Sequence, residues 1–106
     1  MAFSVELTPL AVNDLKGLRA FDRRRIIDKL EEQLQHQPTV ETRNRKRLDN
    51  LVPEFPHRLP VWELRVGDFR VFYDVDEDST TVFVRTIRRK EHGQTTEEVA
   101  SDTDNS

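Results

Sequence analysis

Cationic side chains gather at four places in the chain: Arg23, Arg24 and Arg25; Arg43, Arg45, Lys46 and Arg47; Arg65 and Arg70; and Arg88, Arg89 and Lys90. The chemistry open to such groups is anion binding, because a guanidinium fork matches phosphate bidentately and keeps its charge. Taken singly, a run of this kind is equally what a solvated surface face looks like. The pair Arg65 and Arg70 is different, because it lies within LRVGDFRVFYDVD, Leu64 to Asp76. If Gly67 and Asp68 make a two-residue type II′ loop, Val66 closes against Phe69 and the next rung sets Arg65 across from Arg70. Like charges on one rung destabilise a hairpin by a few tenths to about 1 kcal/mol, so positive charge placed there asks for an anionic partner.

Proton transfer needs other groups nearby. Glu63 shares a strand face with Arg65, where it can serve as a base or simply neutralise Arg65 or Arg70. His92 follows the last basic run, and an unperturbed imidazole titrates close to neutral pH. The alternative for His92 is a solvated tail residue, and His57 reads as a loop residue. Phe72 shares a face with Arg70 and can stack on a nucleobase or be covered by a bound partner. Trp62 shares its strand parity with Leu64 and Val66, which makes it core. There is no cysteine, so thiolate chemistry and sulfur-ligated zinc are excluded, and the three histidines lack metal-ligand spacing. Neither a metal nor a cofactor is expected.

The elements that must position these groups follow from periodicity. Phe3, Val5 and Leu7 alternate as a short strand, then Thr8 and Pro9 supply an N-cap and first helical position. Ala11, Leu15 and Leu18 mark one helix. Ile26, Ile27, Leu30 and Leu34 mark a second, with Asp22 as its expected cap and Arg23 to Arg25 in its first turn. Residues 39–60 are polar and proline-rich and read as a long loop, a common place for function. From Val61 the period becomes two, giving strands through Val66, Phe69 to Val75 and Val82 to Ile87. The expected class is α+β: an N-terminal strand, a helical hairpin and an antiparallel β-meander. The hairpin covers one face of the sheet, and the other, bearing Glu63, Arg65, Arg70 and Phe72, is expected to stay open.

Length sets a single domain, expected over residues 1–92, with residues 93–106 as an acidic and disordered tail in which Thr95 and Glu98 are placed to cap a short helix. The formal net charge of −3 hides an asymmetry, since residues 1–90 carry 17 basic against 15 acidic groups and all later charges are acidic. No run of about 18 apolar residues occurs and the N-terminus lacks a basic, then apolar, leader pattern, so the expectation is a cytoplasmic protein with no membrane contact.

This order of elements, with LRVGDFRVFYDVD followed by VFVRTIRRK, resembles the RelE/ParE toxins of bacterial type II toxin-antitoxin modules over roughly residues 3–92. The resemblance implies the RelE-like microbial ribonuclease-type fold and a cognate antitoxin as partner. RelE-like members enter the ribosome and cut messenger RNA through attack of a ribose 2′-OH on the adjacent phosphate, without a metal. ParE-like members inhibit DNA gyrase and cut nothing. For the RelE-like branch the resemblance implies Arg70 as the phosphate-stabilising arginine, Arg65 beside it and Lys90 at the catalytic basic position, with Glu63 or His92 as substitutes for the proton-transfer groups. Arg43, Arg45, Lys46, Arg47, Phe72, Arg88 and Arg89 are the further candidates for RNA binding, and Tyr73 for packing. The chain departs from the best-studied branch where two lysines precede the hairpin, here Val61 and Glu63. It departs again where a C-terminal tyrosine stands, here Gln94 to Thr96.

Overall fold

The computed structural model describes residues 2–91 and 93–101. Five strands, β1 (Ser4–Leu7), β2 (Arg45–Leu48), β3 (Val61–Val66), β4 (Phe69–Asp76) and β5 (Thr81–Arg89), form one sheet in the order β1-β5-β4-β3-β2. Strands β2 to β5 are antiparallel to their neighbours, while β1 runs parallel to β5 along its edge. Three helices accompany them: α1 (Pro9–Lys16), α2 (Ala20–Leu34) and the short α3 (Thr96–Ala100). The α+β class with an N-terminal strand, paired helices and a largely antiparallel sheet agrees with the sequence pattern. Among the described residues no helix is long and apolar enough to cross a membrane.

Thr8 does more than begin α1. Its hydroxyl oxygen accepts from Ala11 N–H at 3.3 Å, and the hydroxyl donates to the Val84 and Arg85 carbonyls at 3.0 and 2.9 Å. The cap therefore ties the helix to β5, an orphan donor of the first turn being satisfied at the same time. Asp14 adds a second tie, accepting from Thr86 Oγ1 at 2.6 Å and Ile87 N–H at 2.9 Å. These contacts sit beside the register shift of β5 against β4 at Phe72/Tyr73. Helix α2 starts earlier than expected: Arg19 is its N-cap, without a side-chain cap bond, and Asp22 lies inside the first turn. A carboxylate there still meets the positive end of the helix dipole, and Arg23 to Arg25 fall in the second turn, where that field has faded.

Helices α1 and α2 bury Ala11, Leu15, Ile26, Leu30 and Leu34 against Trp62, Leu64, Val66, Phe69, Val71, Tyr73, Val82, Val84 and Ile87. Tyr73 is fully buried, stacks with Trp62 at 6.2 Å between ring centroids, and donates its hydroxyl to the Pro38 carbonyl at 2.6 Å. Both aromatics are thus the packing residues that their strand parity implies.

The opposite face is not open. Leu48, Phe55, Val61, Phe72, Val99 and Ala100 form a second apolar cluster over it, built from the 51–57 loop and α3. Glu63 and Arg70 are each only 7% exposed and Phe72 is fully buried, so Arg65 alone of the four expected there remains exposed. The reason is visible in residue types: Val61 and Phe72 are apolar, and the capping box of Thr95 with Glu98 gives α3 a defined start from which Val99 and Ala100 reach them. Part of residues 93–106 is therefore a docked helix; residues 102–106 lie outside the described residues.

The long loop expected over residues 39–60 contains β2, which pairs Arg45 with Leu64, Lys46 with Glu63, Arg47 with Trp62 and Leu48 with Val61. Its outer edge is capped locally, as Arg45 N–H meets Thr42 Oγ1 at 3.2 Å and Arg47 N–H meets the Glu41 carboxylate at 3.1 Å. An edge strand closed this way offers fewer free backbone groups to another chain.

Candidate functional site

The hairpin of β3 and β4 has the register its sequence implies. Val66 pairs with Phe69 and Arg65 with Arg70. Gly67 has φ +59°, the left-handed value that a type II′ turn needs in its first position, while Asp68 does not share it. The strand beyond adds a third cation to the rung, because Arg70 also pairs with Arg88 on β5. Arg65, Arg70 and Arg88 thus form one row across three strands.

Each arginine of the row has a different environment. Arg70 Nη1 donates to the carbonyls of Gly67 and Phe69 at 2.8 and 2.9 Å, which fixes the turn, and its Nε lies 3.9 Å from Glu63 Oε2. Burial pulls its pKa down and so does Arg65 beside it, while Glu63 pulls the other way. The group remains a cation because the guanidinium starts so far above neutrality. Arg88 donates to the Val99 and Ala100 carbonyls at 2.8 and 2.9 Å and lies over the Phe55 ring, which makes it a fastener for the end of α3. Arg65 projects into solvent.

Glu63 sits beneath α3. It is flanked by Lys46 on β2 and Phe72 on β4, and its carboxylate accepts from Thr96 Oγ1 at 3.2 Å. In that position it balances Arg70 and anchors the helix start. The open space lies elsewhere, at the tip of the hairpin, where Asp68, Arg70, Arg89, Lys90, Glu91 and Gly93 line a cavity of about 410 Å³. Lys90 N–H donates to Asp68 O at 2.7 Å, holding the end of β5 to the turn. Arg89 stacks over the Phe69 ring at 4.5 Å and reaches to 4.0 Å from Asp22. Three cationic residues around one cavity are a combination that can hold a phosphate, and two acidic residues, Asp68 and Glu91, line it with them.

Of the residues singled out in the sequence, Arg70, Arg89 and Lys90 come together at this cavity, with Arg65 and Arg88 on the adjoining row. Phe72 is buried and cannot stack on a base. Arg45 is buried too, its guanidinium donating to Val40 O at 2.9 Å, Gln33 O at 2.6 Å and Gln33 Oε1 at 3.2 Å, so it joins β2 to the end of α2. Arg43, Lys46 and Arg47 are exposed, Arg47 pairing with Asp49 at 2.6 Å. Lys46 and Arg47 border a separate groove of about 420 Å³ with Thr96 and Glu97, away from the row. His92 lies outside the described residues. Asp68 and Glu91 were not singled out beforehand, although Asp68 stands inside the quoted hairpin; a turn aspartate usually signals only its turn. Among the described residues no group of histidines and carboxylates is placed to hold a metal ion.

Comparison with known proteins places this geometry in context. A model of the ParE toxin of the type II toxin-antitoxin system parDE matches residues 5–93, nearly the whole folded part. The chain belongs to this toxin family. The toxin's fold is shared with solved RelE proteins. It matches a chain of the RelBE2 toxin-antitoxin complex of Mycobacterium tuberculosis with a TM-score of 0.66 and 22% identity, over 85% of this chain and 100% of that one. It matches a chain of the archaeal RelE-RelB complex of Pyrococcus horikoshii with a TM-score of 0.64 and 21% identity, over 88% and 100%. A mutant of the Escherichia coli toxin RelE in the free state gives 0.59 and 23%, over 94% and 95%. At these identities the likeness speaks for the fold. No match is found among the curated proteins. The resemblance seen in the hairpin thus holds: this is a RelE/ParE-type toxin chain with a RelE-like fold.

Proposed function

We propose that the protein acts as a ribosome-dependent, metal-independent endoribonuclease that cuts messenger RNA, arrests translation and is neutralised by a cognate antitoxin. The observation that carries this reading is the gathering of Arg70, Arg89 and Lys90 around one cavity at the hairpin tip, with Arg65 on the adjoining row. In the reaction, the ribose 2′-oxygen forms a bond to the adjacent phosphorus as the bond from phosphorus to the 5′-oxygen breaks, leaving a cyclic phosphate. Charge grows on the phosphoryl oxygens, and preorganised cations in a partly dehydrated site are the most effective way to stabilise it. The proton from the 2′-OH must go to a base, and the departing 5′-oxygen must gain one. Glu63 is covered by α3, so the carboxylates available at the cavity are Asp68 and Glu91. An antitoxin would meet the same cations with its own acids.

The test is cleavage of a defined transcript on programmed ribosomes, with the cut ends mapped and examined for a cyclic phosphate. Wild-type protein should produce defined ends and Arg70→Ala should reduce them by about 100-fold or more, the loss usual for one oxyanion-stabilising donor. Uncut transcripts with folded protein would exclude nuclease action. A second reading, inhibition of DNA gyrase, is favoured by the ParE description of the matching family and by the burial of Glu63. It expects impaired supercoiling by purified gyrase and a DNA damage response on induction, with transcripts intact.

A further inference from the structure

The third residue of the first basic run, Arg25, lies outside the row. Arg25 on α2 lays its guanidinium against Gly67, so closely that a side chain at that glycine would displace it. On the same glycine, the carbonyl accepts from Arg70. Two guanidinium groups therefore bracket one turn residue, one through its carbonyl and the other across its α-carbon. Of the other arginines on this side, Arg19 and Arg89 approach Asp22, and Arg23 donates to Leu15 O. Arg25 forms no ion pair among the described residues, and Asp68, next in the turn, does not pair with it. It is exposed. An exposed cation with its donors unused, lying against a turn that other cations flank, is open to an anion.

We propose that Arg25 is an RNA-contacting residue that takes a backbone phosphate on the helix side of the hairpin turn. The strand then passes over the tip, with the neighbouring phosphate at the cavity of Arg70, Arg89 and Lys90. This rests on the reading of the ligand as RNA, and it extends the contact surface from the sheet to α2. Gly67 serves it twice, by adopting the left-handed turn and by leaving room for the guanidinium.

Binding of a short single-stranded RNA to the full-length protein, measured against salt, tests it. Each phosphate contact contributes a slope of about −0.7 to log K against log salt for single strands, so Arg25→Ala should flatten the slope by about 0.7. A fourfold rise in salt should then weaken the variant about 2.6-fold less than the wild type. Arg25→Lys should keep the wild-type slope, and the thermal midpoint should be unchanged in both. An unchanged slope in Arg25→Ala overturns the proposal, as does a lowered midpoint that lysine does not rescue, or a wild-type protein with no salt-dependent RNA binding. The ribosome assay separates this from the cleavage reading: uncut transcripts with a flattened Arg25→Ala slope remove the nuclease and keep the contact, while cut transcripts with an unchanged slope do the reverse.

Discussion

The two faces of the central sheet are buried by different means. Against α1 and α2 the face is largely apolar from Trp62 to Ile87, and its buried polar groups, the Tyr73 hydroxyl and the Arg45 guanidinium at its edge, donate to backbone carbonyls. The other face mixes an apolar cluster around Phe72 with buried charge: Glu63 beside Arg70, and Asp74 with Arg85 at 2.7 Å. Hydrophobic burial stabilises the first face without direction, whereas every charge on the second has to be matched by a partner in the right place. The second face is also where the arginine row runs out to the hairpin tip. Surface cations become a defined site there because buried partners hold their strands in register.

The largest contrast should come from removing one group on each face. Asp74 is fully buried and accepts from Arg85 Nε at 2.7 Å, Arg85 Nη2 at 3.0 Å and Arg58 N–H at 3.0 Å. Asp74→Ala should cost about 3–5 kcal/mol in chemical denaturation, because the Arg85 charge is left uncompensated. Leu64→Ala, on the helix side, should cost about 2–5 kcal/mol through a lost side chain and a cavity. The faces separate in the rescue. Asp74→Leu with Arg85→Met should recover most of the first loss, since an apolar pair can replace a buried ion pair. Failure of the double variant to recover anything would mean that the face depends on packing volume and not on charge matching.

A smaller effect is expected where α3 meets the second face. Val99 is buried, and Val99→Asp removes an apolar side chain whose burial stabilises by about 1.5–3 kcal/mol. The loss should be local: amides of α3 should exchange freely with solvent while Trp62 fluorescence, from the opposite face, stays at its native value. A shift in Trp62 emission alongside the exchange would show that the two faces unfold together.

The helix-side face was legible from periodicity, because Trp62, Leu64 and Val66 alternate cleanly and the helices carry a single apolar stripe. The hairpin register was legible too, since Gly67 admits few turn types. The second face was harder. Glu63, Arg65 and Arg70 look like an exposed polar face in a strand pattern, and only Val61 and Phe72 hinted that something covers it. The cover comes from α3, far along the chain and recognisable only by its capping box, and from a loop without period. Strand β2 escaped because RKRL carries little β preference of its own, and pairing with β3 decides its conformation. The arginine cluster at the tip could be named from the sequence, but the separation of Arg70 and Lys90 from Arg45 and Arg88 required the partners that the fold brings to each.

The smallest effect, a titration confined to alkaline solution, tests how tightly the helix-side face is sealed. Tyr73 is the only tyrosine, so the phenolate absorbance of the protein reports on it alone. Burial raises its pKa well above the ordinary phenol value, with Arg45 opposing only in part. Native protein should therefore show little phenolate at a pH just above 10, where an unfolded tyrosine ionises. A group whose pKa is raised on folding contributes its full stability below the unfolded value, and that contribution falls as pH climbs towards the folded one. Unfolding free energy should accordingly decline with alkaline pH in the wild type and decline less in Tyr73→Phe. The same variant should lose about 1 kcal/mol at neutral pH, because the Pro38 carbonyl then lacks its donor. Ordinary titration of the native phenol near pH 10 would mean that solvent reaches the face between β3 and α2, and the contrast between the two faces would then lie in their residues and not in their access to water.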